Sequence, residues 1–61
     1  MATEILIIDD NADIRNILDE LIQDAGYKTR LAANFNQGLS EIDKKLPDVA
    51  IIDVKLDKGD N

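Results

Sequence analysis

Two uninterrupted apolar runs, Ile5-Leu6-Ile7-Ile8 and Val49-Ala50-Ile51-Ile52, constrain this chain more than any other feature. Each stops on carboxylate: Asp9-Asp10 after the first, Asp53 after the second. A short aliphatic run without polar alternation reads as a strand buried on both faces, the usual state of a strand in a parallel sheet. Two aspartates side by side at a strand end repel each other unless a cation, a proton or hydrogen-bond donors compensate. The first run therefore predicts a buried strand that delivers an ion site to one edge of a sheet.

Between the runs the apolar period changes. Ile14, Ile17, Leu18, Leu21, Ile22 and Ala25 recur at helical spacing and predict an amphipathic helix. Asp10 or Asn11 can cap its start, Asp13 suits its first turn, and Gly26 falls where a helix ends. Tyr27-Lys28-Thr29-Arg30-Leu31 is a short β-prone run. Its alternation places Tyr27, Thr29 and Leu31 on one face and Lys28 and Arg30 on the other, the pattern of a half-exposed edge strand. Asn34 offers a cap for a second helix with Phe35, Leu39, Ile42 and Leu46 on one face. Gly38 inside that helix costs about 1 kcal/mol relative to alanine, a cost that close packing on the sheet would offset. Pro47 closes the helix by pushing Leu46 out of helical geometry. Tyr27 and Phe35 are expected in the core.

Strand, helix, strand, helix, strand is the pattern of parallel βαβ units, an α/β fold with right-handed crossovers. The mixed second strand belongs at an edge and the first strand in the middle, giving strand order 2-1-3. The chain then winds outward on one side of the first strand and returns to the other. Open α/β sheets bind ligands at such a switch point, beyond the carboxyl ends of the strands.

That topology brings Asp9, Asp10 and Asp53 to one edge. Three carboxylates and no soft ligand suit a hard cation, Mg2+ or Mn2+, which takes one or two protein carboxylates and keeps several waters. A carboxylate beside such a metal can also attack phosphorus. Each residue has a plainer reading: Asp10 as a helix cap, Asp53 as a solvated strand end. Lys55, Asp57, Lys58 and Asp60 read as loop charges. The conjunction of two buried strands ending in aspartate favours the site.

Composition narrows the field. Sixty-one residues make at most one small domain, burying only ~60% of its unfolded surface. No cysteine or histidine is present, which excludes a disulfide staple and the usual zinc and haem sites. The net charge of -6 argues against direct binding of nucleic acid by this segment. No basic, apolar leader opens the chain and no apolar run approaches ~20 residues, so a cytoplasmic protein with no membrane contact is expected.

The run Ile5-Leu6-Ile7-Ile8-Asp9-Asp10-Asn11-Ala12-Asp13-Ile14-Arg15, the Gly26-Tyr27 pair, and Pro47-Asp48-Val49-Ala50-Ile51-Ile52-Asp53-Val54-Lys55-Leu56 resemble a response-regulator receiver domain of two-component signalling. The resemblance covers essentially the whole chain. It implies a flavodoxin-like parallel sheet, Asp53 as phosphoacceptor, and an acidic pocket formed by Asp9 and Asp10. It also implies Mg2+ held by Asp10, Asp53 and the main-chain carbonyl of Lys55, with Asp9 acting through water. The implied phosphoryl donor is a phosphohistidine on a sensor histidine kinase or a phosphotransfer protein.

Two features depart from the family pattern. Many receivers place a proline soon after the motif Asp-x-x-Leu, whereas Asp57-Lys58-Gly59 follows Leu56 here, similar to the NtrX-like branch. Receivers also run to about twice this length. Residues 1–61 therefore resemble the N-terminal half, without the hydroxyl residue and the lysine that end the fourth and fifth strands. The third strand is then expected to be an apolar edge that, with the uncovered sheet face, drives self-association. Phosphorylation of such a segment is expected to be weak or absent, and a receiver is not a turnover enzyme. Two other readings compete: a self-associating interaction fragment without phosphotransfer, and a Mg2+-dependent phosphohydrolase. The latter resembles Asp-x-Asp at the first strand, a spacing that adjacent Asp9 and Asp10 do not match.

Overall fold

The computed structural model describes residues 2–53. The elements follow the order β1 (Glu4–Asp9), α1 (Ala12–Asp24), β2 (Lys28–Ala32), α2 (Phe35–Lys44) and β3 (Val49–Asp53). The three strands form one parallel sheet in the order β2-β1-β3, as the hydropathy pattern predicts. This is the strand order expected of a flavodoxin-like parallel sheet.

β1 is central because its side chains can be buried on both faces. Leu6, Ile7 and Ile8 are no more than 1% exposed and Ile5 is 8% exposed. Leu6, Ile8 and Ala32 form the packed core, with Ile42 of α2 against it. Gly38 explains how α2 comes so close. A Cβ at this position would overlap Ile8 Cδ1 and lie 2.9 Å from Cγ1, so only glycine lets the helix backbone rest on that side chain. The expected packing role of Gly38 is thus met.

Asn11, not Asp10, caps α1: its Oδ1 accepts from the N–H groups of Asp13 at 2.9 Å and Ile14 at 3.2 Å. At the other end the Gly26 φ of +98° reverses the chain in a region that side chains disfavour. Asn34 caps α2, accepting from the Gln37 N–H at 2.8 Å.

Four expectations are corrected. The second strand starts one residue later than its β-prone run, leaving Tyr27 outside it and exposed. Phe35, the first residue of α2, is also exposed and not part of the core. Leu46 lies beyond the end of α2 and is 76% exposed. Arg30 does not face open solvent. Its guanidinium donates to the Glu41 carbonyl at 2.8 Å and the Lys45 carbonyl at 2.6 Å, and it pairs with Glu4 and Glu41 at 3.2 Å each. The Glu41 carbonyl also accepts from the Lys45 N–H at 3.1 Å, so Arg30 adds a second donor there, reaches the Lys45 carbonyl just past α2 and ties the end of that helix to β2. Alternation alone could not separate a solvent face from a face covered by a helix.

β3 also departs from burial on both faces. Val49 is 46% and Ile52 54% exposed, because among the described residues both helices pack on β1 and β2 and neither reaches β3.

Candidate acidic site at the carboxyl edge of the sheet

The register that pairs β1 with β3 sets Ile8 against Ile52 and Asp9 against Asp53. Neighbouring strands run about 4.8 Å apart, so these aspartates start from adjacent backbone positions although far apart in sequence. Asp10 follows immediately and, like Asp53, is exposed. Asp9 is only 2% exposed.

The Asp9 carboxylate is divided between two roles. Its Oδ1 accepts from the Asn11 N–H at 2.9 Å and so braces the turn into α1. Its Oδ2 is buried with no hydrogen-bond partner in the protein. A buried anionic oxygen without a partner is costly, and this one lies at the edge where a cation or an ordered water would relieve it. Hard oxygen ligands are also the donor set that Mg2+ prefers. The residues present therefore fit such an ion. They do not form a closed cage: among the described residues, no three acidic side chains gather closely enough to enclose one. The expected convergence thus holds for the backbones of Asp9 and Asp53, without a three-carboxylate cluster. Lys55, expected to offer its carbonyl, lies outside the described residues, as do Asp57, Lys58 and Asp60.

One participant escaped sequence reasoning. Arg15 Nη1 donates to the main-chain carbonyl of Asp9 at 2.8 Å, bringing a cation to the base of the acidic pair. Its position one turn beyond the Asn11 cap, six residues after Asp9, was the available signal.

At the opposite edge an open concavity of about 490 Å3 is bordered by Thr3, Glu4, Lys28, Lys45 and Asp48. Lys45 lies 4.0 Å from Glu4, whose carboxylate also pairs with Arg30, and Asp48 accepts from the Glu4 N–H at 2.8 Å. The switch-point edge remains the better candidate.

A doubly wound parallel sheet with aspartates at its carboxyl edge defines a class, and comparison with known families agrees. Residues 5–60 match the response regulator receiver domain, and the chain belongs to that family of two-component signalling modules. The chain is 41% identical over 56 residues to sporulation initiation phosphotransferase F of Bacillus subtilis, covering 92% of this chain and 45% of the relative. It is 38% identical over 53 residues to a putative NtrX-like response regulator of Rickettsia bellii, covering 87% of this chain and 11% of that protein. The nitrogen assimilation regulatory protein NtrX of Azorhizobium caulinodans is 36% identical over 56 residues, covering 92% of this chain and 12% of its own length. The resemblance to the NtrX-like branch is consistent with these matches. The chain thus spans less than half the length of each of these relatives. No solved structure matches it significantly. Among the described residues, no helix is long and apolar enough to cross a membrane.

Proposed function

We propose that this chain is the phosphoaccepting segment of a cytoplasmic two-component response regulator, the N-terminal part of a receiver domain, with Asp53 as the acceptor. The observation that carries the reading is the register of Asp53 against Asp9, whose buried Oδ2 has no protein partner. In this reading an Asp53 carboxylate oxygen attacks the phosphorus of a phosphohistidine on a sensor kinase or phosphotransfer protein. The new O–P bond forms as the N–P bond breaks, and the bonding electron pair returns to the imidazole nitrogen. Asp10, Asp53 and the Lys55 carbonyl would hold Mg2+, with Asp9 acting through water. The ion would supply charge neutralisation for the phosphoryl oxygens. The protein is modified once per event, so it assists its own phosphorylation without turnover.

Acetyl phosphate tests the acceptor directly. Slow, Mg2+-dependent incorporation at Asp53, located by mass spectrometry and lost in Asp53→Asn, is the expected result. Equal incorporation in that variant would place the chemistry elsewhere.

A second reading is favoured by one observation: β3 pairs with β1 alone among the described residues and leaves Val49 and Ile52 about half exposed. A second copy pairing at this edge would cover them. Sedimentation showing a compact monomer at micromolar concentration would remove that reading, and Mg2+ binding without phosphoryl incorporation would favour it over phosphotransfer.

A further inference from the structure

Arg15 has a geometry that its place on an amphipathic helix does not require. Its guanidinium leaves α1 and donates 2.8 Å to the Asp9 carbonyl, while its own N–H donates to the Asn11 carbonyl at 2.9 Å. The Asp9 carbonyl and the Asp10 N–H belong to one rigid peptide plane. Fixing that oxygen fixes the plane from which the Asp10 Cα departs. The other side of the turn is held by Asp9 Oδ1 on the Asn11 N–H. Asp10 is thus exposed at its side chain but has its backbone bounded by two hydrogen bonds from neighbouring residues.

We infer that Arg15 is a positioning residue for Asp10, holding the Asp9–Asp10 peptide so that the Asp10 carboxylate stays within reach of a divalent cation at the acidic edge. The inference rests on the acidic-site reading proposed above. Its distinguishing consequence is a sign. A cation beside a divalent site repels the metal, so removing its charge should tighten binding if Coulomb forces alone mattered. Removing a group that orients a ligand should weaken binding, typically by 10-fold or more.

Mn2+ titrated into the wild-type chain, Arg15→Met and Arg15→Lys, with free Mn2+ read by electron paramagnetic resonance, separates these effects. The expected result is about tenfold weaker binding in Arg15→Met, with Arg15→Lys between it and wild type. Far-UV circular dichroism checks that each variant is folded. If Arg15→Met does not fold, Arg15→Lys decides alone: weaker binding supports positioning, and unchanged binding overturns it because the charge is retained. Equal or tighter binding by folded Arg15→Met overturns the role of Arg15 and leaves the acidic site standing. No binding by the wild-type chain, which Arg15→Met cannot mimic, overturns the acidic-site reading and this inference with it.

Discussion

β1 and β3 are nearly the same strand in sequence and are opposites in structure. Each is an aliphatic run ending on aspartate, and they pair in parallel register from Ile5 against Val49 to Asp9 against Asp53. Yet Ile8 is 1% exposed and its register partner Ile52 is 54% exposed. The difference lies in what covers them. α1 and α2 both pack over β1 and β2, whereas neither packs on β3 among the described residues. An apolar run therefore records the covering a strand needs. It does not say which part of a chain supplies that covering.

The largest expected contrast comes from truncating the two strands. Leu6→Ala removes a fully buried side chain, and such changes cost about 2–5 kcal/mol. In a domain this small that is enough to abolish cooperative unfolding in urea. Ile52→Ala should cost less than about 1 kcal/mol, because half of the side chain is already in water. Similar losses at both positions would mean that β3 is covered in solution, and the contrast between the strands would fall.

Gly38→Ala probes why β1 is buried so completely. Helix propensity alone favours alanine by about 1 kcal/mol. Here the new methyl meets Ile8, so the helix must lift or Ile8 must move, and a net loss of about 1–3 kcal/mol is expected from chemical denaturation. A gain would show that α2 does not rest on β1 as closely as described.

The smallest effect concerns the partial covering of β2. Thr29 and Gln23 both donate to the Asp19 carboxylate, Gln23 at 2.7 Å, stitching α1 to the strand. The Thr29 hydroxyl, followed by the Gln23 amide, holds the Asp19 carboxyl below its ordinary value. A depressed folded-state value stabilises the fold above the unfolded value, about 3.9, and that contribution is lost as pH falls through the folded value. Thr29→Val should therefore move the Asp19 titration upward by NMR. Its stability deficit, under about 1 kcal/mol at this partly exposed site, should be largest near neutrality and shrink below pH ~4. A deficit that grew on acidification would contradict the assignment.

The same contrast explains how much could be read in advance. Strand order, parallel pairing, the Asn34 cap and the turn at Gly26 follow from local periodicity and chain chemistry, and the structure bears them out. Tyr27, Phe35 and Leu46 were misplaced because hydrophobicity ranks a residue's preference for burial and cannot say whether a partner surface is present. Arg30 was misread because Glu41 lies on α2 and the Lys45 carbonyl just past its end, and two-residue alternation does not reveal the side on which that helix docks. At the acidic edge, the aspartates were legible as strand ends. The division of labour within Asp9, one oxygen bracing the turn and one left without a partner, depends on main-chain geometry that residue types do not encode. Arg15 was missed for the same reason, since its acceptor is a carbonyl.

The ends of β1 and β3, in register at Asp9 and Asp53, are proposed to form one site. Mg2+ titration followed by amide NMR shifts tests it most directly. The amides of Asp9, Asp10 and Asn11 and that of Asp53 are expected to shift together along one binding curve, and Asp53→Asn to weaken the response at both strand ends. Shifts confined to one strand end, or two curves with separate midpoints, would contradict it.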